Sequence, residues 1–316
     1  MNWMKRIRGW LVGESAEEQR TGEAPPDETL TLEASPSVQS AEAASLSESQ
    51  ERTSVSGVFH VGWITDVGRV RDHNEDGLFV FVAEQESADA VPPFGLFVLA
   101  DGMGGHRAGE KASAVASRTV AAHLISRVYL SLLTGEERVA TQPSFTEVMA
   151  EAVTAANRTV NRILPGSGTT LTCAMVVGSR LIIGHVGDSR AYLRSEGEAV
   201  RLLTNDHSMV NKLVEIGQLT KEEAAGHPQR NMLYRAVGQS AALDVDVISL
   251  SLRVHDRILL CSDGIWGLLS DDEIWQIITD ASTPTEACYA LADMANAAGG
   301  NDNLTAILVE IQRGFA

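Results

Sequence analysis

The stretch from Phe94 to Ser113, "FGLFVLADGMGGHRAGEKAS", decides how the rest of the chain is read. An apolar, strand-like run reaches a lone acid at Asp101, turns through Gly102, Gly104 and Gly105, and restarts as an alanine-rich helix. A carboxylate at the end of a buried strand must be solvated, paired or bound to a cation, because burying it alone is prohibitive. One Asp-Gly step is ordinary turn chemistry. The reading therefore rests on whether the pattern recurs.

It does. "LIIGHVG" precedes Asp188, "RILLCS" precedes Asp263 and Gly264, and Asp302 stands between "GGN" and the run "NLTAILVEI". Each acid sits where an apolar strand meets a turn, with a glycine within two residues that lets backbone pass close to a bound group. Few His or Cys residues lie nearby, and oxygen-only ligands select hard cations such as Mg²⁺ or Mn²⁺ over zinc. Several carboxylates on one rim also repel one another without cations. Together they read as a two-metal carboxylate site. Upstream, in "ITDVGRVRDHNEDGLFVF", Arg71 precedes Glu75 and Asp76 by four and five residues. Its planar fork suits phosphate, with a surface ion pair as the alternative. Glu75 and Asp76 read either as holders of metal-bound water or as solvated turn residues.

The chain has 316 residues, 44% of them hydrophobic, which suffices for one large core. A net charge of −17 argues against nucleic acid as a partner. Cys173, Cys261 and Cys288 are scattered, so neither a disulfide framework nor a zinc knuckle is expected, and a cytoplasmic protein is. No run reaches the ~20 apolar residues of a membrane span. Residues 1–56 differ from the rest. From Gly13 to Ser56 the only basic residues are Arg20 and Arg52 among Glu, Ser, Ala, Thr and Pro, which reads as a disordered acidic tail. Within "MNWMKRIRGWLV", Trp3, Ile7, Trp10 and Leu11 share a helical face. That segment, residues 1–12, is either a frayed terminus or a tether to a membrane surface or a complex.

From residue 57 the folded part begins. Strands are expected at 58–66, 77–83, 94–100, 170–177, 180–186, 190–194, 246–252, 257–261 and 304–311. Helical patterns cover about 108–133, 145–163, 208–217, 271–280 and 284–298. Strands come in adjacent pairs and helices in runs, which argues for packed sheets with helices outside them.

The ordered motifs "TDVGRVRDHNED", "LADGMGGH", "GTTLTCAMV", "HVGDSRAYL", "LTNDHS", "SDGIWGLLS" and "GGNDNLTAILV" resemble the metal-dependent serine/threonine protein phosphatases of the PP2C (PPM) family, in its bacterial form. The resemblance spans about residues 58 to 312. It implies an α+β fold, a four-layer α-β-β-α sandwich of two antiparallel sheets flanked by helix pairs. It implies two Mn²⁺ or Mg²⁺ ions bridged by Asp101, one helped by the Gly102 carbonyl, the other completed by Asp263 and Asp302. Asp188 with Asp263 matches a weaker third position. Arg71 matches the phosphate-binding arginine, and Glu75 and Asp76 the acids that act on metal-bound water. Phosphoserine and phosphothreonine proteins are the implied substrates, in opposition to a Hanks-type kinase, with the enzyme as a monomer.

Two departures from the wider family stand out. Met103 follows the Asp-Gly pair where eukaryotic relatives place histidine, with His106 three residues on, and Gly267 replaces an acid that some relatives carry. Residues 207–240 resemble the bacterial flap, where His227, Arg230 and Asn231 are candidates for substrate contact. His185 and His207 read as structural histidines, and Trp63, Trp266 and Trp275 as packing. Rival readings are a regulatory phosphatase of an anti-anti-sigma-like partner and a non-catalytic phosphoprotein-binding module. "Asp244-Val245-Asp246" mimics a D-x-D nucleophile but follows no apolar strand.

Overall fold

The computed structural model describes residues 53–55, 57–87, 90–104, 107–135 and 143–315. The amphipathic segment 1–12, most of the tail and His106 lie outside them. The strands are β1 (Thr53–Val55), β2 (Phe59–Asp66), β3 (Asp76–Ala83), β4 (Phe94–Met103), β5 (Gly168–Thr169), β6 (Leu171–Val177), β7 (Arg180–Val186), β8 (Arg190–Arg194), β9 (Arg201–Leu202), β10 (Asp246–Ser251), β11 (Arg257–Cys261) and β12 (Leu304–Ile311). One sheet runs β1-β2-β12-β11-β8-β9 and the other β10-β7-β6-β4-β3, with β5 beside β4. Every pairing is antiparallel. β1 lies within residues that composition places in the tail, and pairs Thr53 with Gly62.

Period-two alternation sorts each strand between two cores. In β4, Phe97 and Leu99 point between the sheets, while Phe94, Leu96, Val98 and Ala100 face a helical layer. In β11, Ile258 and Leu260 point inward and Leu259 and Cys261 outward. Both faces are buried, so these strands read as continuous apolar runs. Each fully buried side chain of this size contributes roughly 1.5–3 kcal/mol.

The helices are α1 (Arg107–Leu124), which passes through a π-helical turn at Ile125–Tyr129 into α2 (Leu130–Leu133), then α3 (Phe145–Ile163), α4 (Met209–Glu215), α5 (Lys221–Ala225), α6 (Asp263–Trp266), α7 (Asp271–Asp280) and α8 (Pro284–Ala297). Ala112, Ala116, Val120 and Leu124 of α1 pack with Met149, Ala152, Val153 and Ala156 of α3 on the β4 side. Ile265, Ile274, Trp275, Cys288 and Leu291 of α6–α8 cover the other sheet. Three cores between four layers result, as the resemblance implies. Two reciprocal capping boxes start α3 and α7, with Ser144 to Glu147 and Ser270 to Glu273. The single helix expected over 108–133 is interrupted at the π turn, where Tyr129 packs on Phe81 and Phe94 at ring distances of 5.3 and 5.1 Å.

Candidate active site

Asp101 does not end its strand. β4 continues to Met103, because Gly102 and Met103 pair with Thr169 and Gly168 of β5. What ends after Ala100 is the apolar pattern. In the β3–β4 register Asp101 lies directly opposite Asp76. The Asp101 N–H donates to Thr170 Oγ1 (2.8 Å), and its carbonyl accepts from Thr170 N (2.8 Å) and Thr169 Oγ1 (2.9 Å). Gly102 N–H donates to Glu75 O (3.1 Å), and a Cβ on Gly102 would stand 2.3 Å from Gly109 O, so only glycine fits.

The other acids reach the same edge from neighbouring strand ends. Asp263 follows β11 as the first residue of α6, and Asp302 precedes β12 by two residues. Asp188 follows β7 across Gly187 and is almost wholly buried. Asp76 Oδ2 accepts from Thr305 Oγ1 (2.6 Å) and Ser262 Oγ (3.0 Å), which anchors β3 to the opposite sheet. Asp76 Oδ1 and Asp263 Oδ1 are buried without a hydrogen-bond partner.

The electrostatics follow from this crowding. Burial first, then Asp76, Asp263, Asp188 and Asp302, pushes Asp101 well above the usual carboxylate range. Burial raises Asp76 to about 7 against the Thr305 hydroxyl, with Asp263 adding to the rise. Burial and then Asp302 raise Asp263 to about 6, and burial, Asp263 and Asp206 raise Asp188. Each group acts on its neighbours, so the cluster titrates as a set. Among the described residues no three His, Cys, Asp or Glu side chains stand at metal-ligating spacing. The edge is a shared acidic field. Its hard oxygen donors, two of them orphaned, and its crowded like charges fit divalent cations.

Arg71 and Asp302, both candidates from the sequence, bind each other at 2.7 Å, with side chains 51% and 30% exposed. Partial burial works against the guanidinium charge, but Asp302, then Glu75 and Asp101, hold it more firmly protonated. Glu75 is positioned by its N–H, which donates to Asn303 Oδ1 (2.8 Å). Asn303 Nδ2 in turn donates to Val67 O (3.0 Å) and His73 O (2.8 Å). Asn303, Thr170, Ser262 and Thr305 do not stand out in the sequence. The only signal available was their adjacency to the acids and glycines.

The flap candidates stand apart. His227 is half-buried and accepts from Gln229 N (3.1 Å), while Arg230 and Asn231 are exposed. Their hydrogen bonds among the described residues stay within the flap, as where Arg230 N–H donates to His227 O (3.1 Å). The flap's return limb does reach the site: Val237 exchanges backbone bonds with Thr169 at 3.0 and 2.9 Å. His185 is buried and pushed down to about 3 by burial, then by His207, so it is a neutral structural group. Trp63 packs between the sheets and Trp266 and Trp275 under the second helical layer.

Two antiparallel sheets with helices on both outer faces and a buried acidic edge define an α-β-β-α sandwich of the α+β class. Residues 69–308 match the family described as Protein phosphatase 2C. The chain belongs to the protein phosphatase 2C family. It is 39% identical over 255 residues to the serine/threonine phosphatase stp of Listeria innocua, covering 79% of this chain and 95% of that one. The crystal structure of the Mycobacterium tuberculosis serine/threonine phosphatase PstP/Ppp superposes with a TM-score of 0.66 at 33% identity, covering 81% of this chain and all of that one. The PstP catalytic domain in complex with two manganese ions superposes at 0.64 and 31% identity, covering 81% and 99%.

Proposed function

We propose that this chain removes phosphate from phosphoserine and phosphothreonine side chains of proteins, using cations held by its acidic edge. The observation that carries the reading is the set of crowded carboxylates at one sandwich edge, two of whose buried oxygens have no protein partner. Asp101, the Gly102 carbonyl, Asp263 and Asp302 would hold two cations, and Asp188 with Asp263 a weaker third. Bound there, the cations supply positive charge for the phosphoryl oxygens and lower the pKa of a water.

The chain's own groups do the rest. Arg71 offers a fork to the phosphate, and its half-exposed side chain can exchange Asp302 for a phosphoryl oxygen. Asp76, held by Thr305 and Ser262 directly opposite Asp101, would hold a cation-bound water. Glu75, whose backbone is fixed through Asn303 and whose charge acts on Arg71, would orient water. His227, Arg230 and Asn231 sit on the flap, where an approaching phosphoprotein would meet them. A Ser/Thr kinase would supply the phosphorylated proteins, since only such a reaction makes this substrate.

The test is phosphate release from a phosphothreonine peptide by the full chain with Mn²⁺, with Mg²⁺ and with chelator, beside Asp263→Asn. Turnover that needs a cation and disappears in the variant is expected. A folded, cation-binding protein that releases no phosphate would sink the hydrolytic reading and leave a phosphoprotein-binding module.

A further inference from the structure

The segment "TNDHS", Thr204 to Ser208, lies beside the acidic edge, where Asp206 adds to the field on Asp188, and it grips the Asp188 turn from both sides. After the turn, Arg190 donates from Nε to Asp206 Oδ1 (3.1 Å) and Oδ2 (3.2 Å), and from Nη2 to Oδ2 (2.8 Å). The Arg190 guanidinium also lies 3.7 Å over the Trp266 ring, on the short helix that begins with Asp263. Before the turn, His207 N–H donates to Gly187 O (2.7 Å), and Gly187 N–H donates to His207 Nδ1 (3.0 Å). Further bonds fix the segment: Ala191 N to Thr204 Oγ1 (3.0 Å) and His185 Nε2 to Asn205 O (3.1 Å).

These contacts assign the His207 tautomer. Gly187 N–H can only donate, so Nδ1 is the bare nitrogen and Nε2 carries the proton. That proton is directed at Asp246 Oδ2, 3.2 Å away. Arg235 Nη1 donates to the other oxygen of Asp246 at 2.6 Å; because Nε2 carries the proton and cannot accept, the 3.1 Å approach of Nη1 to it is a contact rather than a hydrogen bond. Arg235 belongs to the flap's return limb, and the preceding Tyr234 N–H donates to His207 O (2.9 Å). One residue therefore touches both the flap and the turn. The turn has no slack: Gly187 has φ +111, and a Cβ there would stand 2.6 Å from Thr170 Cβ. Thr170 is the residue that holds Asp101.

We propose that Asp206 and His207 are positioning residues for the Asp188 carboxylate, and that His207 joins the flap's return limb and the Asp188 turn into one unit. The cation part of this inference rests on the reading that Asp188 holds a weaker cation. Arg190 and Asp206 set the turn's far side, His207 its near side, and Asp246 with Arg235 ties the near side to the flap.

The test combines peptide-level amide exchange with Mn²⁺ titration calorimetry on the full chain. His207→Ala, His207→Asn and Asp188→Asn are compared with the unchanged protein. His207→Ala should speed exchange both in a peptide covering 183–190 and in one covering 231–238. It should also weaken the Asp188-dependent Mn²⁺ step by about 10- to 100-fold. His207→Asn keeps an acceptor near the Nδ1 position but loses the reach to Asp246. It should restore protection to 183–190 while leaving 231–238 fast. Unchanged exchange in both peptides in His207→Ala would overturn the brace. Should Asp188→Asn leave Mn²⁺ binding unaltered, the cation reading at Asp188 falls, and exchange alone then judges the mechanical link.

Discussion

Two buried acidic regions lie side by side in this molecule and are built in opposite ways. At one, Asp206 is answered by Arg190 through a planar fork, and that cation is stacked on Trp266 and bonded to the Tyr192 hydroxyl (3.1 Å). At the other, Asp76 and Asp101 face each other across strands, with Asp263 and Asp188 adding further negative field. In the first region Asp206 and Arg190 answer each other with protein atoms alone, so the pair serves as structure. The second leaves Asp76 Oδ1 and Asp263 Oδ1 unanswered, which stability alone would not favour. Electrostatic imbalance separates the candidate site from its brace, although both are rich in aspartate.

The sharpest way to break this contrast is to neutralise one member of each region. Asp101→Asn should abolish most cation-dependent turnover, several kcal/mol of transition-state stabilisation or on the order of a thousandfold in rate. The folded chain should survive, because the change relieves like-charge crowding. Phosphate release and thermal melting on the same sample check both halves. Retained turnover would show that the imbalance is incidental.

Arg190→Ala should do the reverse. It strands the Asp206 carboxylate, 10% exposed, and uncovers Trp266. The expected loss is about 3 kcal/mol of stability by denaturant titration. Replacing Arg190 and Asp206 together by apolar residues should recover much of it. Equal stability of the single variant and the unchanged protein would mean the pair is not the brace described.

The smallest effect concerns pH. Folded Asp76 and Asp263 are raised to about 7 and about 6, above the roughly 4 of an unfolded aspartate. A raised carboxylate contributes stability that is fully present below about pH 4 and is lost as pH climbs through its folded pKa. Cations compete with those protons. The gain in Tm on adding Mn²⁺ to chelator-treated protein should therefore grow between about pH 5 and pH 8, by a few degrees. A gain independent of pH would place the Mn²⁺ ions away from these carboxylates.

Much of this was readable along the chain because it is local. The continuous apolar runs "FGLFVLA" and "RILLC" read as strands, and Asp-Gly steps at their ends mark the acids. Other features depend on contacts made only on folding. Asp101 lies within its strand because Gly102 and Met103 find Thr169 and Gly168, a pairing no local pattern announces. The helix break at Ile125–Tyr129 accommodates Tyr129 against Phe81 and Phe94, which propensity does not encode. His207 reads as a structural histidine from sequence, but its link to Gly187 and the flap needs three distant segments brought together.

The sequence by itself determined the α+β class, the apolar strand runs, the inventory of acids and glycines, and the family motifs. Composition and period are properties of neighbouring residues, so they survive without a fold. Tertiary structure alone decided that Asp76 stands opposite Asp101, that Arg71 meets Asp302, and that Asp206 and His207 bracket the Asp188 turn. Those relations depend on strand register and loop closure across tens to hundreds of residues, where packing of the whole molecule selects one arrangement among many that local chemistry allows.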